Sequence, residues 1–238
     1  MNGPAVWVLF FVLAYLAGSI PFGLLAGLLK GVDIRRLGSQ NIGASNAGRV
    51  LGRPWFFIVL VLDALKGFIP VLLAGVWFGR SRGIVIASDQ VWPQLAWLGV
   101  ALAAILGHLF PVFLGFRGGR GVATALGVVL AIWPYYTIPG VLAFALWWVV
   151  KWVSGFISVA SIVTVVAFPL LVVGVAVVAG WPLGPLTPLI LFAVGIAVLV
   201  VIRHWPNIQR LRAGRELTPD HPDPVSYTHL TLPTIYSV

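Results

Sequence analysis

Residues 157–179 read ISVASIVTVVAFPLLVVGVAVVA, an apolar run without a charged residue, and its length decides the fold class. A helix rises about 1.5 Å per residue and the hydrocarbon core of a bilayer is about 30 Å thick, so about 20 apolar residues make one crossing. Working outward from this run, the same reading places helices at roughly 4–29, 55–78, 94–114, 122–137, 138–150 and 187–202, about seven in all. The boundary between the fourth and fifth stays open, because Pro134 and Pro139 can equally kink one long helix.

Composition agrees with an all-α integral membrane protein. The chain is 60% hydrophobic and 9% charged with a mean hydropathy of +1.04, against roughly 45–50% apolar and about 25% charged in soluble domains. A water-soluble fold is excluded, and one bundle uses up the chain, so a single transmembrane domain is expected over residues 1–217. Pro4 to Leu29 is too long for a signal-peptide core, lacks a basic leader and ends in Lys30, so it reads as an uncleaved first helix. The absence of cysteine excludes disulfides, thiolate nucleophiles and Cys-ligated metals.

The net charge of +9 does not read as a nucleic-acid signature, because the cations are dispersed between apolar spans and suit anionic lipid headgroups and anionic substrates. With the amino terminus outside, Lys30, Arg35, Arg36, Arg49, Arg53, Arg117, Arg120, Lys151, Arg203, Arg210, Arg212 and Arg215 fall on the cytoplasmic side. Only Arg80 and Arg82 fall outside, and Lys66 lies within a helix. This satisfies the positive-inside rule and makes the carboxyl terminus cytoplasmic. It also puts Lys30–Arg53, Gly115–Gly121 and Arg203–Glu216 on one side of the membrane. A catalytic surface at the inner leaflet explains that simply, although positive-inside bias alone would also gather the arginines.

Three stretches combine residue types suited to anionic substrates. In Leu37–Arg49, LGSQNIGASNAGR, the side chains of Ser39, Gln40, Asn41, Ser45 and Asn46 interleave with glycines, so hydroxyls, amides and backbone N–H groups can turn toward an anion with Arg49 supplying charge. The plain alternative is a solvated loop rich in turn formers. In Gly107–Thr124, GHLFPVFLGFRGGRGVAT, residues Arg117, Gly118, Gly119, Arg120 and Gly121 immediately precede a helix. Glycines let backbone approach an oxyanion, helix amino-terminal N–H groups point at it, and guanidiniums neutralise it. The spacing is not that of a nucleotide-binding P-loop, and a flexible cationic turn is the alternative. Arg203–Glu216, RHWPNIQRLRAGRE, holds His204 and Asn207 three residues apart, where an imidazole beside an amide can orient a hydroxyl or accept its proton; Pro206 argues against regular helix there.

Asp63 and Lys66 share a helix face at i and i+3 inside the second span. Each costs roughly 2.5–3.5 kcal/mol at the bilayer centre, so they should pair or face the interior. A structural ion pair and a site-lining Lys66 are both open. Ser158 and Ser161 also share a face, ready for an oxyanion or for a neighbouring helix. The carboxylates Asp33, Asp63, Asp89 and Glu216 are scattered without ligand spacing, so no metal is expected.

In their order, GSIPFG (Gly18–Gly23), GSQNIGASNAGR, DALKG (Asp63–Gly67), GHLFPVFLGFRGGRGVAT and RHWPNIQRLRAGRE resemble the successive motifs of the bacterial acyl-phosphate:glycerol-3-phosphate acyltransferases, the PlsY family. The similarity runs from about Gly18 to Glu216. It implies a seven-helix inner-membrane enzyme with its amino terminus outside, transferring a fatty acyl group from acyl phosphate to the 1-hydroxyl of sn-glycerol 3-phosphate. The products would be lysophosphatidate and phosphate, without cofactor and with neither acyl-CoA nor acyl-carrier protein as donor. It implies catalytic or substrate-binding roles for Ser39, Arg49, His204 and Asn207, a phosphate-binding role for Arg117–Gly121, and a structural role for Glu216. Asn41, Asn46, Lys66, Ser158 and Ser161 complete the expected phosphate-binding set, with Asp63 structural. Arg117 and Arg120 stand where the family usually has lysine, so donor geometry differs while charge is kept.

A different class of function, a small transporter or channel for an organic phosphate or another anion, would use the same cations, but no inverted repeat or pair of interrupted helices marks alternating access. From about Thr218 the chain changes character. Val225–Val238, VSYTHLTLPTIYSV, resembles a translated cloning or adapter read-through, so residues 218–238 are expected to form a disordered tail of partly non-native sequence, and His229 is set aside with it.

Overall fold

A computed structural model describes residues 4–79 and 91–218. Among the described residues every regular element is helical. Six helical segments are long and apolar enough to cross a membrane, and a shorter apolar helix of 10 residues accompanies them. The expected all-α membrane fold is therefore observed. Arg80, Arg82, Asp89 and the segment 219–238, His229 included, lie outside the described residues.

The first expected helix is two helices, α1 (Pro4–Ser19) and α2 (Phe22–Leu29), parted at Ile20–Pro21. Proline cannot donate into the helix ladder, so the GSIPFG motif breaks the span and frees carbonyls at the break. Two short helices flank the loop regions: α3 (Ala44–Leu51) and, after the longer helices, α10 (Trp205–Arg212). The latter corrects the expectation drawn from Pro206. That proline occupies the first turn of α10, where a missing N–H costs nothing.

The long helices are α4 (Arg53–Trp77), α5 (Val91–Leu109), α7 (Thr137–Ser154), α8 (Ile157–Val178) and α9 (Leu183–Arg203). The ambiguous region resolves into α6 (Val122–Ala131) and α7, separated by a turn at 132–136 and not joined as one kinked helix. At about 1.5 Å per residue, α6 is about 15 Å long, half the hydrocarbon thickness.

Helices α1, α4, α5 and α6 pack together, while α7, α8 and α9 form a second layer that meets the first only sparsely. Close approach in the first layer depends on glycine. A Cβ on Gly67 would overlap the Thr124 carbonyl, one on Gly127 the Ala64 carbonyl, and one on Gly107 the Tyr15 carbonyl. Small residues at such crossings let backbones meet without a hydrophobic driving force, since lipid is as apolar as a side chain.

Asp63 and Lys66, on the buried face of α4, form an ion pair at 2.8 Å. The Lys66 ammonium also donates to the Ile20 carbonyl at 2.8 Å, an acceptor released by the α1–α2 break. Its charge is thus met by a carboxylate and by a helix end.

Candidate active site

The first polar loop is built inward from Asp33. Its carboxylate accepts from the Arg35 backbone N–H at 3.0 Å and pairs with the Arg35 guanidinium at 2.8 Å. The hydrogen bond from that guanidinium holds the Asp33 carboxyl down to about 2. Asn46, 1% exposed, then fixes the loop from inside: its amide nitrogen donates to the carbonyls of Ile34 (2.8 Å) and Leu37 (3.1 Å), and its oxygen accepts from the Ser39 N–H (2.8 Å). Asn41 accepts from the Gly43 N–H at 2.8 Å. Gly38 (φ +56°) lies against the Asn46 oxygen in the left-handed conformation that glycine tolerates. The amides of Asn41 and Asn46 thus shape the loop, and Ser39 and Arg49 are carried to a cavity. The Ser39 hydroxyl oxygen is buried there without a hydrogen-bond partner, and Arg49 Nη2 donates to the Thr218 carbonyl at 3.4 Å.

The second loop is spoken for on both sides. Gly118 N–H donates to the Leu109 carbonyl (3.2 Å) and Gly119 N–H to the His108 carbonyl (3.0 Å), so these two amides close the end of α5 and do not face an anion. Their carbonyls accept from Arg203, at 3.0 Å for Gly118 and at 3.1 and 3.2 Å for Gly119. A Cβ on Gly119 would overlap the His108 ring, so packing explains the glycine. The part that reaches the cavity begins one residue later. Gly121 (φ +88°) opens α6, whose first-turn N–H groups have no intrahelical partner. Arg120, Gly121, Val122 and Ala123 line the cavity, whereas Arg117 is exposed and away from it. Burial, with Arg210, Arg49 and Arg203 nearby, lowers the Arg120 pKa to about 10 and leaves it cationic at neutral pH.

His204 joins α9 to α10 and is 2% exposed. Its Nδ1 lies 2.8 Å from the Val200 carbonyl, which can only accept, so Nδ1 carries the proton and Nε2 keeps a lone pair. Burial holds its pKa down to about 4. One turn on, Asn207 donates to Glu216 Oε1 at 2.5 Å, which fixes its amide and leaves the buried Oδ1 without a partner. Arg210 pairs with Glu216 Oε2 at 2.8 Å. His204, Asn207 and Arg210 follow at i, i+3 and i+6, one face of the α9–α10 junction.

These elements enclose one cavity of about 380 Å³ between the two layers. At its polar end stand Ser39, Arg49, Arg120, His204, Asn207, Arg210 and Glu216, with Asn41, Asn46 and Asp63 also on its wall. Ser158 and Ser161 flank the transition to an apolar chamber walled by Trp147, Trp148, Phe144, Ile196, Phe168 and Phe192. The Ser158 hydroxyl is without a partner; that of Ser161 donates to Ile157 and accepts from the Trp147 indole at 3.2 Å. Most of the expected set is brought together, while Arg117, Gly118, Gly119 and Lys66 stand off the cavity wall. Among the described residues no cluster of potential ligands could hold a metal. Sequence reading missed Arg210, whose helical spacing from Asn207 was the available signal, and the aromatic wall, which no local pattern separates from lipid-facing residues.

Comparison with known proteins agrees with this architecture. A sequence model of the family described as glycerol-3-phosphate acyltransferase matches residues 8–214. Relatives described as glycerol-3-phosphate acyltransferase include one from Aquifex aeolicus, 43% identical over 86% of this chain and 95% of its own. Another, from Trichlorobacter lovleyi, is 45% identical over 85% and 92%. Two crystal structures of PlsY (YgiH), an integral membrane glycerol 3-phosphate acyltransferase, one in its glycerol 3-phosphate form and one in its lysophosphatidic acid form, superpose with TM-scores of 0.74 and 0.73. Both are 39% identical to this chain and cover 90% of it and 95% of their own chains. Carrying a cationic head site joined to an apolar chamber inside an all-helical membrane fold, this chain belongs to the glycerol-3-phosphate acyltransferase family of integral membrane enzymes.

Proposed function

We propose that the enzyme transfers a fatty acyl group from acyl phosphate to the 1-hydroxyl of sn-glycerol 3-phosphate, giving lysophosphatidate and inorganic phosphate at the cytoplasmic face of a bacterial inner membrane. The observation that carries this reading is the composition of the cavity, in which Arg49, Arg120 and Arg210 face one end and a chamber suited to an alkyl chain leads away from it. Such a cavity fits two small phosphates and one acyl chain. The cytoplasmic orientation is supported by the distribution of Lys and Arg along the chain.

Acyl phosphate carries its own leaving group, so no covalent enzyme intermediate is required. Arg49, Arg120, Arg210 and the α6 amino terminus hold the two phosphates and align the hydroxyl with the carbonyl carbon. Ser39 and Ser158, whose hydroxyls lack partners in the protein, donate to substrate oxygens. The hydroxyl oxygen attacks the carbonyl carbon, the carbon–oxygen bond to phosphate breaks, and the hydroxyl proton leaves with the phosphate. His204 Nε2 accepts from the attacking hydroxyl and orients it, and Asn207 Oδ1 accepts from the neighbouring 2-hydroxyl. An imidazole held near 4 stores a proton poorly, whereas a phosphate oxygen with a second pKa of about 6 stores it readily, so the departing phosphate is the final acceptor.

The test is phosphate release by purified protein in detergent, given palmitoyl phosphate with and without glycerol 3-phosphate, with the lipid product identified by mass. Acceptor-dependent release with formation of 1-acyl-glycerol 3-phosphate supports the reading. Acylation from another donor, with acyl phosphate inert, overturns it. Trapping a stable acyl ester on Ser39 would refute direct transfer.

A further inference from the structure

The apolar chamber has an inner end on each of the segments from α6 to α9 that wall it. Its deepest wall residues are Val129 on α6, Tyr136 ahead of α7, Phe168 on α8 and Phe192 on α9, and neither Val172 nor Leu189 beyond them reaches it. The end is closed by contact. The Tyr136 and Phe168 rings meet edge to face with centroids 5.2 Å apart, Tyr136 is 1% exposed, and its hydroxyl donates to the Leu189 carbonyl, tying the start of α7 to α9. Beneath lie the fully packed Val172, Ala176, Leu186 and Leu189. A floor of two locked aromatic rings over a core with side chains 0–2% exposed does not yield without cost.

We propose that the Tyr136–Phe168 pair is the stop against which the acyl chain is measured, and that it determines which acyl lengths the enzyme transfers best. The inference rests on the acyl chain occupying this chamber, as in the function proposed above. Ser158 and Phe168 are ten residues apart on α8, and Phe192 and His204 are twelve apart along α9, so the chamber is about 15–18 Å deep from the polar end. Carbon–carbon bonds of about 1.5 Å advance an extended chain by about 1.3 Å each, so about 12–14 carbons reach the floor. A longer chain must bend within the chamber or leave sideways, past Phe57, Phe144 and Trp148, which line the cavity and are also exposed on the lipid side.

The experiment offers the purified enzyme an equimolar mixture of acyl phosphates of 10 to 18 carbons with glycerol 3-phosphate and reads the lysophosphatidates by mass. Phe168→Ala lowers the floor and should raise the ratio of 18-carbon to 12-carbon product at least fivefold. Ala197→Leu, which narrows the chamber nearer its mouth, should lower that ratio by a similar factor. Because Phe168→Ala removes packing from α8, Phe168→Leu is run beside it and should move the ratio in the same direction. If folded, active variants at both positions leave the ratio within twofold of the parent, the floor is not the ruler. Inhibition by a length series of lysophosphatidates needs no donor and should show the same shifts. Acyl phosphates inert in the parent alongside shifted lysophosphatidate inhibition would refute the donor while upholding the ruler.

Discussion

Arg203 donates twice to the Gly119 carbonyl oxygen, through Nε at 3.2 Å and Nη2 at 3.1 Å, and its guanidinium lies over the Phe110 ring at 5.3 Å. This contact sets where Arg120 and the α6 amino terminus stand relative to His204, the residue after Arg203. It also covers carbonyl oxygens that would otherwise add negative partial charge near the Arg120 end of the cavity.

Arg203→Lys keeps the charge and loses the fork. Charge-assisted hydrogen bonds contribute about 1.5–3 kcal/mol each, so kcat/KM should fall about 10- to 100-fold in protein that elutes as the parent does in detergent. Added guanidine should restore part of the activity of Arg203→Ala and none of that of His204→Ala. Unchanged kinetics in Arg203→Lys would show that the loop holds its place without the fork.

His204 should make the fold sensitive to acid. Its folded pKa of about 4 lies below the ordinary 6.5, so the unfolded chain takes up the proton first. The stability from a neutral buried imidazole is therefore complete above pH 6.5 and is lost progressively as pH falls toward 4, by about 3 kcal/mol in all. Thermal midpoints in detergent between pH 7.5 and 4.5 should fall less steeply for His204→Gln than for the parent. Equal slopes would place the imidazole in contact with water.

Glu216 is the acceptor shared by Asn207 and Arg210. Glu216→Ala leaves a buried amide and a partly buried guanidinium without it, which should cost about 1–3 kcal/mol and release the orientation of Asn207. Glu216→Gln can still accept from Asn207 and should keep more activity than Glu216→Ala. A lowered midpoint and reduced turnover are both expected for Glu216→Ala, read by thermal unfolding and product formation.

Two glycine substitutions separate packing from helix propensity. Gly127→Ala drives a methyl into the Ala64 carbonyl and should destabilise the α4–α6 contact by about 1–3 kcal/mol, lowering activity because Arg120 lies just ahead of the α6 amino terminus. Gly174 on α8 has open space at its Cβ, so Gly174→Ala should be neutral or slightly stabilising. Comparable thermal midpoints for the two would contradict the tight crossing.

The spans were legible because a bilayer demands about 20 apolar residues whatever the neighbours are. The α1–α2 break was less so: GSIPFG carries its proline in plain view, yet the break makes sense only once Lys66, forty-six positions away, is seen to donate to Ile20. Candidate chemistry at Ser39, Arg49, Arg120, His204 and Asn207 was readable from residue type, and all five line the cavity. What each backbone amide does was not. Gly118 and Gly119 look like an anion cradle in sequence, but their N–H groups meet carbonyls of α5 and their carbonyls meet Arg203, partners fixed by tertiary packing. Hydropathy likewise reports that Phe168 and Phe192 suit an apolar environment, without saying whether it is lipid, core or chamber.

The Lys66–Ile20 hydrogen bond bears on biogenesis. An α4 segment threaded into lipid on its own would carry a carboxylate and an ammonium into hydrocarbon, with the pair satisfying only part of their hydrogen-bonding capacity. The remaining partner belongs to a segment synthesised earlier, and it exists only where that segment is broken. Stable integration of α4 should therefore wait on the first span being already in place, so that the nascent chain assembles in the order in which it leaves the ribosome, and straightening the break with Pro21→Ala would be felt first as a defect of insertion.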